Sequence, residues 1–292
     1  MSKTKKPWWL KLIYSIFSLI LIVALILVGV WAFVKIKYDI NLLNTIAQIK
    51  TLNGPVNENE KFTNLFSISD MASAQTEVNS KSANLIIGNE AEGFEIQSGA
   101  SLSALTDDIK LTDKQIAAIL DNLLHQEGNN AAIQIGSQSL SINLIQMLFK
   151  NIQENSAEIN IVIKLDTSAI KESMKSFPFN LIAKYIPETL YLSSTVVVNK
   201  LEGTFNYDVQ YKEMLINNLT TDETESFLKI LNLVLKTGTS EQLCLNICKP
   251  FVDAMIGNEN SNGFAYSLTG LGATDYNFVI ENNVNYFVIK NK

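Results

Sequence analysis

The strongest hydropathy pattern in the chain is an apolar run near its N-terminus. Residues 12–34 contain no charged side chain. At about 1.5 Å per helical residue they span about 34 Å, enough to cross the hydrocarbon core of a bilayer. Trp8, Trp9 and Trp31 lie near its two ends, where indole rings favour the membrane interface. A cleaved signal peptide is the alternative, but the run is too long and no cleavage site follows it. We therefore expect an uncleaved transmembrane helix.

Lysine placement predicts the orientation of this helix. Four lysines precede the apolar run, and two follow it closely. The positive-inside rule then places residues 1–11 in the cytoplasm as a short tail. The sequence therefore predicts a single-pass protein of the cell membrane with an extracytoplasmic C-terminal part.

The segment after the apolar run has helical apolar spacing over residues 39–52. It ends at the strong breaker Asn53-Gly54-Pro55, and the polar residues 56–61 follow. We expect residues 39–52 to prolong the membrane helix. Residues 35–61 then form a juxtamembrane stalk and linker, and residues 62–292 form an extracytoplasmic domain.

Two different periodicities follow one another in the predicted domain. Alternation of apolar and polar positions predicts strands over residues 84–88, 94–97, 158–166, 190–199, 205–212, 276–281 and 284–290. Apolar spacing and helix-start signals predict helices over residues 70–78, 112–126, 168–176, 180–186, 221–236 and 241–256. Ser69 is the expected cap of the first, and the capping boxes Thr112-x-x-Gln115 and Thr220-x-x-Glu223 open two others. Strands with one polar face are typical of an antiparallel sheet wetted on one side. This mixture predicts an α+β fold in which the sheet packs on amphipathic helices.

Charge excludes one class of function. The chain has 23 basic residues, all of them lysine, so it lacks the guanidinium fork that reads guanine edges. Residues 38–292 hold 17 lysines against 29 carboxylates, a net charge of −12. An acidic body repels nucleic acid at long range, so we expect no nucleic-acid partner.

Few residues offer catalytic or metal chemistry. His125 is the only histidine, and it falls at the end of a predicted helix, where it complements the helix dipole. Cys244 and Cys248 share one helical face, and we expect buried thiols without a structural disulfide, although an oxidising location favours oxidation. Residues 258–263 resemble a calcium loop, but amides replace its carboxylates, so we expect an Asn/Gly turn. The sequence predicts no catalytic residue, no metal, no cofactor and no enzyme activity.

One stretch carries a family resemblance. It contains LTDKQIAAILDNLL at 111–124, INIVIKLD at 159–166 and SFPFNLIAKYIPETLYLSSTVVVN at 176–199. This order of elements, over residues 110–236, resembles that of uncharacterised membrane-anchored envelope proteins of Gram-positive bacteria. Some of those are similar to tubular lipid-binding (TULIP) modules. The resemblance implies a curved antiparallel sheet wrapped around a helix, with an apolar groove between them.

These observations favour a membrane-anchored, non-enzymatic binding module of a bacterial cell envelope. We expect a lipid or another hydrophobic ligand to be held between the sheet and the helices. The expected groove residues are Phe177, Phe179, Leu181, Tyr185 and Ile186. The alternative is a scaffold, a protein-interaction subunit of an envelope machine, in which the same side chains form an ordinary core.

Overall fold

The computed structural model of the protein describes residues 8–97, 102–125, 132–136, 138–177 and 179–292. The helices are α1 Trp8–Tyr38, α2 Leu42–Leu52, α3 Glu58–Lys61, α4 Ile68–Lys81, α5 Asp113–His125, α6 Ser168–Ser173, α7 Asn180–Ala183, α8 Thr221–Leu235, α9 Ser240–Met255 and α10 Phe264–Ser267. The strands are β1 Ile86–Asn89, β2 Gly93–Ile96, β3 Ile109–Thr112, β4 Ala132–Ile135, β5 Gln138–Gln153, β6 Ser156–Asp166, β7 Thr189–Lys200, β8 Tyr207–Ile216, β9 Ala273–Glu281 and β10 Val284–Asn291. The predicted α+β class is confirmed.

The helix predicted over residues 39–52 is present as α2, but it does not prolong α1 as predicted. The backbone turns at Asp39, which adopts a left-handed φ of 52°, and α2 begins three residues later. Ile40, Ile49 and Leu52 are buried in the main hydrophobic core, and α2 packs against α8. The apolar spacing of this segment therefore serves the domain and does not form a free-standing helix.

A curled, antiparallel sheet of five strands organises the domain in the order β4-β5-β6-β7-β8. Three helices cover its concave face. Helix α5 contacts β5, α8 contacts β8, and α9 contacts β4, β7 and β8. The predicted inner face of β6 is confirmed, since Ile159, Ile161, Ile163 and Leu165 are all at most 1% exposed. The result is a half-barrel that closes on its own helices.

The longest strand, β5, is missing from the sequence-based prediction because its alternation changes phase. The pairing of β5 with β6 shifts between Leu144 and Gln146. Before this bulge, Ile142 and Leu144 point into the core; after it, Met147 and Phe149 do so. A β-bulge adds one residue to one strand, so a search for strict period-two alternation fails across it.

The outer face of the sheet carries a strap formed by residues 53–66. This segment contains the predicted linker, yet it is attached to the sheet. Glu58 accepts hydrogen bonds from the Tyr191 hydroxyl at 2.6 Å and from the Lys164 ammonium at 3.1 Å. Phe62 forms a small buried cluster with Val162 and Tyr191. The strap thus covers part of a sheet face that sequence analysis assigned to solvent.

Both predicted capping boxes are confirmed. In α5 the backbone N–H of Thr112 donates to Gln115, and the N–H of Gln115 donates back to the Thr112 hydroxyl. Thr220 and Glu223 form the same reciprocal pair at the start of α8. The helix predicted at 70–78 is longer and is capped by Ser67, two residues before the predicted cap.

A second sheet, in the order β3-β10-β9, packs against the end of the first. Between them lies a cluster of rings in which Tyr276 stacks near Phe205, Phe278 and Phe287 at centroid distances of 5.8–6.1 Å. Alternation predicted that Phe205 belongs to the strand at 205–212, but β8 begins two residues later, at Tyr207. Phe205 adopts a left-handed φ of 54° before the strand and is nevertheless 1% exposed.

Cys244 and Cys248 are buried and free, as the sequence predicts. A hydrogen bond between the two thiols, together with burial, raises the pKa of Cys248. We expect Cys248→Ala to lower the free energy of unfolding by about 1–2 kcal/mol through lost packing. Denaturant titration of the full chain in detergent micelles measures this. If reductant lowers the free energy of unfolding of the wild type by a similar amount, the two cysteines form a crosslink.

Candidate site at the junction of helix α1 and the domain

Helix α1 joins the domain without a spacer. Among the described residues, one helical stretch is long and apolar enough to cross a membrane, Ile20–Tyr38, with a mean hydropathy of 2.4. Most of it is exposed, but Val34 is 0% exposed because the domain covers it. One residue earlier, the ring of Phe33 lies 6.2 Å from that of Phe177. The last turn of α1 is therefore part of the domain surface.

Aromatic contacts continue around this turn. Tyr38 packs edge-on against Phe179 at 5.7 Å, and the Lys37 ammonium lies 5.3 Å from the rings of both Phe33 and Tyr38. A cation above an aromatic face is attracted by the ring quadrupole. We call the surface formed by Phe33, Lys37, Tyr38, Phe177 and Phe179 the junction surface.

The structure brings two of the five sequence-predicted groove residues, Phe177 and Phe179, against the end of α1, and Leu181 and Tyr185 follow them in the same connection. They belong to the β6–β7 connection, residues 167–188, which carries α6 and α7. Phe177, Leu181 and Tyr185 are 49%, 44% and 51% exposed, while Phe179 is half-buried against Tyr38. Ile186 is 2% exposed and belongs to the main core. Apart from Ile186, these side chains lie at the surface of the β6–β7 connection, whereas the sequence placed them between sheet and helices.

Three open cavities lie near the ends of α1 and α2. The first, of about 460 Å³, is lined by Ile49, Lys50, Asn53, Lys184 and Tyr185. The second, of about 520 Å³, is lined by Tyr38, Lys229, Asn232, Leu233, Lys236 and Gly238. The third, of about 190 Å³, is polar and is lined by Lys35, Asp39, Ile40, Asn41, Asn44, Thr45, Gln48, Ser226 and Lys229. The second and third cavities share Lys229, so an apolar and a polar compartment adjoin.

The junction is basic, in contrast to the rest of the domain. Five lysines line the three cavities, and Asp39 is the one carboxylate among the residues that line them. Asp39 lies 2.7 Å from the Lys35 ammonium and 3.6 Å from that of Lys229. The hydrogen bond from Lys35 and the charges of both lysines lower the pKa of Asp39.

Gln48 is the site residue that sequence analysis missed. It is 7% exposed, and its Oε1 atom has no hydrogen-bond donor in the described part of the protein. A buried acceptor of this kind is costly unless a ligand or water supplies the donor. A single glutamine in an amphipathic segment has no sequence signal that separates it from a surface residue.

Other sequence candidates lie elsewhere. His125 accompanies Asp121 at the end of α5, with 3.4 Å between its Nδ1 and a carboxylate oxygen. The turn at residues 258–263 is closed by hydrogen bonds of the Asn258 side chain, as expected for an Asn/Gly turn. Within the described residues, His, Cys, Asp and Glu form no group of three or more that could hold a metal ion.

Comparison with known proteins adds no relative. The chain matches no protein-family model, no curated protein and no solved structure. Fold and site together define an α+β protein with one apolar N-terminal helix and an aromatic, lysine-rich junction. Its function is therefore inferred from its own geometry.

The ion pairs of Asp39 with Lys35 and Lys229 predict that the local stability of this segment depends on pH. Because the folded-state pKa of Asp39 is lowered, these ion pairs contribute stability above the ordinary carboxyl pKa and lose it as pH falls through the folded value. We expect amide hydrogen exchange at residues 35–45, corrected for its intrinsic rate, to accelerate at acidic pH. Asp39→Asn should remove this dependence, while Asp166→Asn, a remote control, should keep it. Equal profiles in all three chains would contradict this contribution of the ion pairs.

Proposed function

We propose that the protein is a membrane-anchored extracytoplasmic binding module of a bacterial cell envelope, and that it binds bilayer lipid at the junction surface. One observation carries the proposal: Phe33 and Val34 belong to the apolar stretch of α1 and also pack on the domain. A bilayer around α1 would therefore meet Phe177 and its neighbours directly.

The side chains at the junction suit this environment. Aromatic residues favour the level of the headgroups, and lysines extend their charge to it while their stems cover apolar surface. A lysine near an anionic leaflet contributes about 1 kcal/mol of attraction. The excess of lysines over carboxylates around the cavities makes this end complementary to anionic lipid, although the body of the chain is acidic.

The adjoining cavities match the two parts of a phospholipid. Lys35 and Lys229 offer ammonium groups to a phosphate in the polar cavity, and the Gln48 oxygen offers an acceptor to a headgroup hydroxyl or amine. Next to it, Tyr38 and Leu233 offer an apolar wall to an acyl chain. Each buried CH₂ contributes about 0.8 kcal/mol.

A scaffold function is the alternative, and it is favoured by the filled concave face of the sheet. Side chains of α5, α8 and α9 form one continuous core with the inner face of the strands. Within the described residues, the sheet and the helices are therefore in close contact at the place where the sequence suggested a ligand groove. In a scaffold, the junction would hold the domain on the membrane and bind no individual lipid.

Contact with the bilayer can be measured at Leu181. We expect an environment-sensitive dye on Leu181→Cys, in the full chain in lipid nanodiscs, to show a blue-shifted emission and quenching by spin-labelled lipid. The native cysteines are buried and should stay unlabelled. Ile280→Cys is the control, since Ile280 is 55% exposed on β9. Equal solvent exposure of both dyes would contradict docking of this surface.

Retention of a lipid distinguishes the binding module from the scaffold. We expect native mass spectrometry of the full chain, released from detergent, to show bound phosphatidylglycerol. Lys229→Met should weaken its binding about fivefold, as expected for the loss of about 1 kcal/mol. Lys249→Met is the matched control, because Lys249 is an exposed lysine paired with Asp253 on α9. No retained lipid in the wild type would leave the scaffold as the function.

A further inference from the structure

The outer face of the five-stranded sheet holds a further cavity, lined by different residues from the three described above, and the inference drawn from it does not rest on the proposed lipid binding. The strap closes over this face and leaves a cavity of about 300 Å³, which we call the outer-face cavity. It is lined by Lys61, Phe62, Thr63, Gln146, Leu148, Lys150, Asn160, Tyr191, Ser193, Leu215 and Asn217. Its volume is at the small end of the range of about 300–1,000 Å³ found for ligand sites.

Strand pairing fixes the floor of the cavity. Gln146 on β5 pairs with Val162 on β6, which pairs with Ser193 on β7, which in turn pairs with Leu215 on β8. One row across four strands therefore presents an amide, a hydroxyl and two apolar side chains on the same face. Asn160, in the next row, donates to the Ser193 hydroxyl at 3.1 Å. Sites built on paired strands hold their side chains rigidly.

Gln146 is the first observation that points to a ligand. It is 3% exposed, and its Oε1 atom has no donor among the residues that the structure describes. A long polar side chain on an outward-facing position would ordinarily reach solvent. Here the side chain lines the cavity beneath the strap, and the hydrogen-bonding capacity of its Oε1 atom is unused.

Lys61 is the second observation, and it comes from the strap. Its ammonium donates to the backbone oxygen of Asn217 and, at 3.1 Å, to the side-chain oxygen of Asn218, both of which are neutral. No carboxylate in the described part of the chain lies within 4.0 Å of it. Lys61 is exposed overall, and the partial burial of its ammonium lowers its pKa. Glu58, the nearby acid of the strap, is occupied by Lys164 and Tyr191.

We propose that the outer-face cavity binds a small hydroxylated anion, a sugar acid or sugar phosphate, whose anionic group pairs with Lys61 and whose hydroxyl donates to Gln146. The anionic group pairs with the exposed ammonium of Lys61, and Lys150, also exposed, adds to the positive potential at the rim. A hydroxyl satisfies the Gln146 oxygen. Leu148, Leu215 and the Phe62 ring contact the carbon skeleton. A neutral sugar lacks the anionic group, and inorganic phosphate lacks the carbon skeleton that the apolar wall contacts.

The experiment is calorimetric titration of the full chain in detergent with D-glucuronate and glycerol 3-phosphate as probes. At about 10 mM ligand, a site with a Kd of about 1 mM is nearly saturated. We expect saturable binding of at least one probe, and at least tenfold weaker binding of D-glucose, glycerol and inorganic phosphate. Preference for the carboxylate or for the phosphate probe identifies the anionic group.

Variants connect the binding to the two groups. We expect Lys61→Met and Gln146→Leu each to weaken binding at least tenfold, and Lys212→Met, a lysine of the same face paired with Glu158, to leave it unchanged. Gln146→Leu should also raise the unfolding midpoint of the unliganded chain, because it removes an unsatisfied buried acceptor. No saturable binding of either probe, or phosphate binding as tightly as the probes, would overturn the proposal.

Discussion

The one-sided burial of the five-stranded sheet is the constraint on which the rest of the protein depends. Every inner position of β6 and β7 needs apolar cover, and the helices α5, α8 and α9 supply it in one continuous core. Curling brings the strands around these helices, and the bulges in β5 and between β7 and β8 keep the apolar residues on the inner side as the strands bend. Because the inner face is used for stability, recognition is left to the ends and the outer face of the sheet.

The turn at Asp39 determines how those ends relate to the apolar helix. Asp39, in the left-handed conformation, ends α1. Directly after it the chain enters the core, with Ile40 before α2 and with Ile49 and Leu52 in α2. The domain is therefore held against the last turn of α1 and has no freely jointed stalk. If α1 spans a bilayer, the β6–β7 connection is restricted to the membrane surface. This restriction makes its exposed aromatic residues meaningful, since scattered exposed apolar residues need no explanation on a free surface.

Sequence analysis recovered what local physics determines and missed what tertiary contacts decide. Capping boxes at Thr112 and Thr220, the alternation of β6 and the burial of both cysteines follow from patterns within one segment. The phase change at the β5 bulge, by contrast, depends on the neighbouring strand. Residues 39–52 show the same limit, because an apolar stripe does not state which partner covers it. Helical periodicity predicts that one face of a helix is buried, but the partner that buries this face is determined by the tertiary fold.

The candidate sites show this limit most sharply. Phe177, Leu181 and Tyr185 were recognisable as an apolar cluster near a proline, but their exposure depends on the packing of a connection 22 residues long between two strands. Gln48 and Gln146 carried no signal at all. Each is an ordinary polar residue whose meaning comes from a second segment, α8 for one and the strap for the other, that removes it from water. A buried acceptor without a donor is costly to the fold, and its retention at two cavities that also contain lysines is the physical reason to seek ligands there.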